Sequence, residues 1–206
     1  MKCFIGFLIL TFLFDTSVFS QDSIPTTDSA SIQVAADNLL PTHYLPTQHL
    51  LWGEKGLMRH LDSFKLSEES RERELDIRDK MFTAHRYLGY ATLVGMIAQG
   101  IVGERLYQGH NGLKGLHEGL AGVVNIGYFT SASMALFAPP RAKDRAPGFS
   151  TVKLHKYLSI VHLSSMIATN ILSGMTESNP NFKALHRATA YTAFGSFFAS
   201  IVVIRL

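Results

Sequence analysis

Four histidines, His85, His117, His155 and His186, each stand near the start of a long stretch that carries no formal charge. An imidazole can ligate a transition metal, carry a proton or act as a base near neutral pH. The rest of the inventory narrows the choice. The one cysteine, Cys3, lies at the extreme N-terminus. Disulfides, iron–sulfur clusters, thiolate-held zinc, covalent attachment at a CxxCH motif and thiol catalysis are thereby excluded. Carboxylates deep within the stretches, which a proton or metal transporter would use, are missing from the sequence. Its positive charges are interleaved with acids, so no basic nucleic-acid face is expected.

The elements that position these histidines follow from the charge distribution. The chain has 206 residues, 47% hydrophobic, with a formal charge of +3. Tyr87–Gly103, Gly119–Pro140, Tyr157–Thr176 and Ala188–Ile204 carry no formal charge, whereas Gly53–Lys80 is crowded with charges. With their flanks, the four stretches reach the roughly 20 residues that a helix needs to cross a bilayer core. A soluble bundle would show a charged stripe on every helix, and these show none. The expected fold is all-α: four spans, Met81–Glu104, Leu116–Pro139, Leu154–Gly174 and Leu185–Leu206, joined by short connections. Such connections make neighbours antiparallel, so the spans form an up-down-up-down bundle.

Ahead of the bundle, residues 1–20 read as a secretory signal, with Lys2, an apolar run Phe4–Phe14, and Val18 and Ser20 before a cleavage point. Residues 21–47, with Pro25, Pro41 and Pro46 and no Lys or Arg, read as a disordered tether. In 48–80, Leu50, Leu51, Leu57, Met58, Leu61 and Phe64 recur at helical spacing beside Trp52. Two settings for that helix stay open, the membrane surface or the protein itself. Ser67–Lys80 reads as a solvated charged helix running into the first span, with Glu69–Arg73, Glu74–Arg78 and Asp76–Lys80 as i,i+4 pairs.

The chain contains a duplication. Ala84–Ile101 aligns without gaps on Leu154–Ile171 with eight of eighteen positions identical, and the segment from Leu116 aligns more loosely on that from Leu185. The unit is a helical hairpin used twice, so the domain 81–206 has one histidine at the same place in each helix. Chain direction then puts His85 and His155 at one depth, and His117 and His186 at the opposite one. In such a bundle alternate helices are diagonal across the core. Two imidazoles facing each other there are the donor set of bis-histidine haem ligation, so the expectation is two haem b groups held by His85 with His155 and His117 with His186. Arg86, Lys156 and Arg187 each follow a histidine where propionates would need cations; Glu118 stands at the fourth such position. His162 lies one heptad beyond His155, but its repeat counterpart is Thr92, which points to hydrogen bonding in the core. Gln99, Asn125 and Asn170 are expected to bond across helices. Phe129, Phe194, Phe197 and Phe198 read first as ordinary packing or lipid contact, with apolar filling between the two sites as the alternative.

The ordered set H-R-x-L-G (His85–Gly89), H-E-G-L-A-G (His117–Gly122), H-K-x-L (His155–Leu158) and H-R-x-x-x-Y (His186–Tyr191) resembles the cytochrome b-561 family of transmembrane di-haem electron carriers. The likeness covers 81–206, with four spans where many relatives have six. It implies the same two histidine pairs. It also implies electron transfer across a membrane from a donor such as ascorbate or a quinol to an acceptor on the far side.

The expected role is therefore an electron carrier or oxidoreductase subunit rather than a stand-alone catalyst. Its partners would be the bilayer and a quinol or redox protein, with a homodimer or a larger complex open. The signal places the N-terminal segment in the periplasm of a bacterial cytoplasmic membrane. Arg141, Lys143, Arg145 and Lys153 in one loop argue the other way by the positive-inside rule. The signal is followed here, because flanking cations already have a role beside haem. A histidine-lined metal or proton transporter, or a non-redox anchor subunit, are the alternative readings.

Overall fold

The computed structural model describes residues 39–144 and 148–204. The signal and most of the tether lie outside these residues. The described chain is all-α. A short helix α1 (Pro46–Trp52) and two 3-10 turns (Leu57–His60 and Asp62–Phe64) precede four long helices: α2 (Glu68–Tyr107), α3 (Lys114–Phe137), α4 (Thr151–Ser178) and α5 (Phe182–Val203).

Local chemistry sets these boundaries. Ser67 caps α2, its hydroxyl accepting from the Ser70 amide at 3.2 Å, and Glu68 and Glu69 lie favourably in the first turn. Ser150 caps α4 in the same way through the Lys153 amide. The chain leaves α2 through Gly109, whose φ of 99° is left-handed and suits a residue without Cβ. After Phe137, Ala138 is extended, and Pro139 and Pro140 end α3. As expected, the charged segment runs unbroken into the first apolar stretch, giving α2 its 40 residues.

The closest backbone approaches lie within the antiparallel hairpins α2/α3 and α4/α5, with a lighter approach of α2 to α5. Glycine permits the first of these. A Cβ on Gly95 would stand 3.0 Å from Val124, and one on Gly127 would stand 2.8 Å from the Thr92 hydroxyl. Between hairpins, α3 meets α4 through reciprocal Asn125–Asn170 amide bonds of 2.7 and 3.0 Å. Leu93, Met96, Val124, Tyr128, Met166, Ala193 and Phe197 form the buried core between the four helices. Among the described residues two helical segments, 111–137 and 151–178, are long and apolar enough to cross a membrane, where the sequence leads one to expect four. In α2 and α5 the apolar stretch is diluted by Tyr, Gly, Gln, Thr and Ser.

Residues 39–80 differ most from expectation. The long helix anticipated from Gln48 onward stops at Trp52, where Gly53 is extended, and only 3-10 turns follow. The segment packs on the protein, while Leu50, Leu57 and Leu61 stay exposed. It covers the C-terminal end of α3, whose last carbonyls have no partner within the helix. The Thr47 hydroxyl donates to the Leu136 carbonyl (2.6 Å), the Gln48 amide to Ala138 (2.9 Å) and the Trp52 indole to Phe137 (2.9 Å). The tether is docked from residue 39 on, since Thr42 and His43 donate to the Asp144 carboxylate.

The charged helix is correspondingly not a solvated stalk. Glu74 is fully buried between Arg59 and Arg71, each paired with it. Glu74 therefore takes partners that the i,i+4 spacing to Arg78 does not foretell. Arg78 donates to the Pro139 carbonyl (2.6 Å), with its guanidinium 4.4 Å from the Phe82 ring centre. The other two anticipated pairs form, Glu69–Arg73 at 2.9 Å and Asp76–Lys80 at 2.7 Å.

Candidate functional site: two facing histidine pairs

Counted from its histidine, each long helix repeats one register. Four residues on stand Gly89, Ala121, Ser159 and Ala190; seven on, Thr92, Val124, His162 and Ala193. Eleven on stand Met96, Tyr128, Met166 and Phe197; fourteen on, Gln99, Ser131, Thr169 and Ser200. These offsets keep one face of a 3.6-residue helix. The residues at seven and eleven are all buried, so this face is the one turned to the bundle interior.

The diagonal partners meet. The rings of His85 on α2 and His155 on α4 have centroids 6.4 Å apart with planes at 89°, and His117 on α3 and His186 on α5 repeat this at 6.4 Å and 75°. Two imidazoles sharing one metal between opposed nitrogens would have centroids about 6.3 Å apart, from two bonds of about 2.0–2.1 Å and about 1.1 Å from nitrogen to ring centre. Both pairs match that separation.

The second ring nitrogen is held from across each hairpin. His85 Nδ1 donates to the Ser131 carbonyl (2.9 Å), His155 Nδ1 to Ser200 (2.9 Å) and His186 Nδ1 to Thr169 (3.0 Å). Each acceptor is the fourteenth residue after the histidine of the neighbouring helix. A proton held on Nδ1 leaves the Nε2 lone pair as metal donor, the usual arrangement of a ligating histidine. His117 departs from the rule, because the side-chain amide of Gln99 stands 3.1 Å from its Nδ1.

Small residues flank both pairs, and an open cleft lies beside one of them. All four residues one turn beyond the histidines are small. Gly89 is buried, yet a Cβ built there would meet nothing within 4 Å. Around His117 and His186 lies a cleft of ≈ 1600 Å³, lined in part by Gly100, Ala121, Gly122, Met166 and Ala190. Gly115 and Gly119, at the start of the same helix as His117, are exposed. No cluster of three or more His, Cys, Asp or Glu occurs among the described residues. Two facing imidazoles at this separation are a donor set that haem would complete with its own ring nitrogens, so both pairs fit that group.

The flanking cations are placed differently. Arg86 and Lys156 are exposed one residue past their histidines. Arg187 is held by Glu104 through two bonds of 3.0 Å, while Tyr191 donates to the same carboxylate at 2.7 Å. Its guanidinium also lies 4.5 Å from the Tyr107 ring centre. At the fourth position, Lys114 pairs with Glu118 (3.5 Å) and Glu177 (3.2 Å).

Between the two pairs lies an aromatic plug. The Tyr128 hydroxyl and His162 Nδ1 are 2.5 Å apart, and the His162 and Phe197 rings are 5.2 Å apart. His162 thus bonds in the core, as its place outside the repeat suggests. Phe197 is buried there, with Phe194 packed against the core, whereas Phe129 and Phe198 are exposed. His110 closes the turn after α2, its Nδ1 donating to the Arg105 carbonyl at 3.0 Å.

The sequence reading missed the acceptors Ser131, Thr169 and Ser200, the partner Tyr128 and the anchor Glu104. A hydroxyl residue fourteen positions after three of the four histidines was the available signal for the acceptors. No protein-family model, curated protein or solved structure matches the chain.

Proposed function

We propose that the chain is a membrane-embedded electron carrier that holds two haem b groups, one by His85 and His155 and the other by His117 and His186. One observation carries this reading: two diagonal imidazole pairs, at opposite ends of four helices, share one centroid separation of 6.4 Å. The haems supply a one-electron couple at each end when bound. The protein's own part is positional. Carbonyls of Ser131, Ser200 and Thr169 orient three of the ligands, and Tyr128, His162 and Phe197 fill the space between the pairs and exclude water from it. Arg86, Lys156 and Arg187 stand one residue past their histidines, where propionates would need cations, with Arg187 already held by Glu104.

Four spans are part of the proposal. Beyond the two segments that meet length and hydropathy requirements, α2 exposes Val94, Ile97 and Ile101, and α5 exposes Leu185, Phe198 and Val202. Large apolar side chains turned outward on every long helix are what acyl chains would cover. The orientation proposed has the His85/His155 end and residues 39–80 on the periplasmic side of a bacterial cytoplasmic membrane. Electrons would be exchanged with a quinol or a redox protein.

The test is a pyridine haemochrome assay on detergent-purified chain. Two haems per chain are expected, with His85→Ala and His117→Ala each removing one. Protein expressed with ample haem that purifies without a Soret band would overturn the reading.

A further inference from the structure

We propose that Gln99 is a positioning residue that sets the potential of the His117/His186 haem apart from that of the His85/His155 haem. The inference rests on the two-haem reading above and concerns how one ligand is oriented.

Three of the four histidines are held alike, by a main-chain carbonyl fourteen residues past the neighbouring helix's own histidine. The residues supplying those carbonyls have short side chains whose hydroxyls reach backbone, although Ser131 Oγ also stands 3.0 Å from His85 Nδ1 and Thr169 Oγ1 also bonds Thr189 Oγ1. Ser131 Oγ donates to the His85 carbonyl (3.1 Å), Thr169 Oγ1 to Ser165 (2.7 Å) and Ser200 Oγ to Phe197 (2.7 Å). A short side chain bonded in this way leaves its own carbonyl open to the incoming imidazole. Gln99 occupies the equivalent position toward His117 and is too long for this. Its amide nitrogen lies 3.1 Å from His117 Nδ1 and 3.4 Å from Nε2, while its buried Oε1 has no hydrogen-bond partner. The ring packs closely on α2 here, since a Cβ on Gly103 would stand 2.9 Å from its Cε1.

The two kinds of partner select different tautomers. A carbonyl accepts from Nδ1–H and leaves Nε2 as ligand. An amide N–H donates to Nδ1 and puts the ring proton on Nε2. For His117 to ligate through Nε2, the Gln99 amide must turn its unpartnered Oε1 to the ring. A helix carbonyl is fixed by its helix, whereas a side-chain amide is held only by its own rotamer. His117 is therefore less firmly polarised than the other three ligands. Hydrogen bonding to Nδ1–H makes an imidazole a more basic donor, which favours ferric iron. The His117/His186 haem is accordingly the member of the pair with the higher potential.

The experiment is an equilibrium redox titration of the α band in the full-length, haem-loaded chain, with the ferric low-spin EPR signal recorded alongside. The component lost in His117→Ala identifies the site. Gln99→Ser recreates the short hydroxyl residue of the other three helices, and should shift that component alone to lower potential with two haems per chain retained. Gln99→Leu removes the amide and should shift it to higher potential. Each variant should change one EPR signal and leave the other in place. If both variants load two haems and titrate like the parent, or if the His85/His155 component moves equally, the inference is overturned while the carrier reading stands. A chain that never binds haem would overturn both.

Discussion

At one end of the bundle, where His85 meets His155, the chain N-terminal to the apolar part of α2 folds back over the last turn of α3. Thr47, Gln48, Trp52, Arg71 and Arg78 donate to five successive carbonyls from Leu136 to Pro140, and Glu74 locks two of the surrounding arginines. At the other end, where His117 meets His186, short turns join the helices and a cleft reaches the rings. Its charges, Glu104 with Arg187 and Lys114 with Glu118 and Glu177, are half-exposed or exposed. The same four-position register runs to both ends, so the two histidine pairs share one separation under different covers. The cover decides access and rigidity. One pair sits beneath a cap with its own buried ion cluster, the other beside an opening where side chains alone hold the rim.

Substitutions can break this contrast selectively. The largest effect is expected at the cap. Glu74→Ala leaves Arg59 and Arg71 buried without their counter-ion, and removal of one partner from a buried pair costs about 3–5 kcal/mol. Unfolding in detergent should report the loss, while the α-band component assigned to His117/His186 keeps its position. A shift of that component would show the two ends to be coupled. Gly103→Ala should act at the opposite end. The new methyl meets the His117 ring, and overpacking of this kind costs about 1–3 kcal/mol, so haem occupancy should fall at that site alone. Haem-to-chain ratio and the remaining α band together measure it.

The smallest effect concerns pH. The Thr42 hydroxyl and amide, with the His43 amide, hold the Asp144 carboxyl below its ordinary range. Its contribution is complete above the unfolded-state pKa and disappears as pH falls through the lower folded-state value. Hydrogen-exchange protection at residues 39–45, measured against the intrinsic rate at each pH, should therefore fall only on acidification below the ordinary aspartate range. In Asp144→Asn that acid-dependent change should be absent.

Much of the site was legible because it rests on spacing. One histidine per helix at a duplicated position, combined with chain direction, is enough to pair His85 with His155 and His117 with His186. The acceptors were less legible, because a main-chain carbonyl has no residue type. Only the Ser and Thr that leave it open give a hint, and Gln99 gives the opposite one. Glu74 illustrates a different loss. Within α2 its helical neighbour is Arg78, but a 3-10 turn fifteen residues earlier in the chain delivers Arg59 to it, and a local pairing rule has no view of that approach.

By itself the sequence determined the all-helical architecture, the bounds of four long helices to within a few residues and the common face on which the histidines lie. These follow from charge-free length, capping residues and a helical period, all properties of one segment at a time. Only the tertiary structure decided that residues 39–80 cap an end of the bundle, that three imidazoles share a carbonyl rule, and that Gln99 breaks it. Those outcomes depend on which unpartnered carbonyl, buried charge or open groove a distant segment reaches, and that is settled when the helices pack.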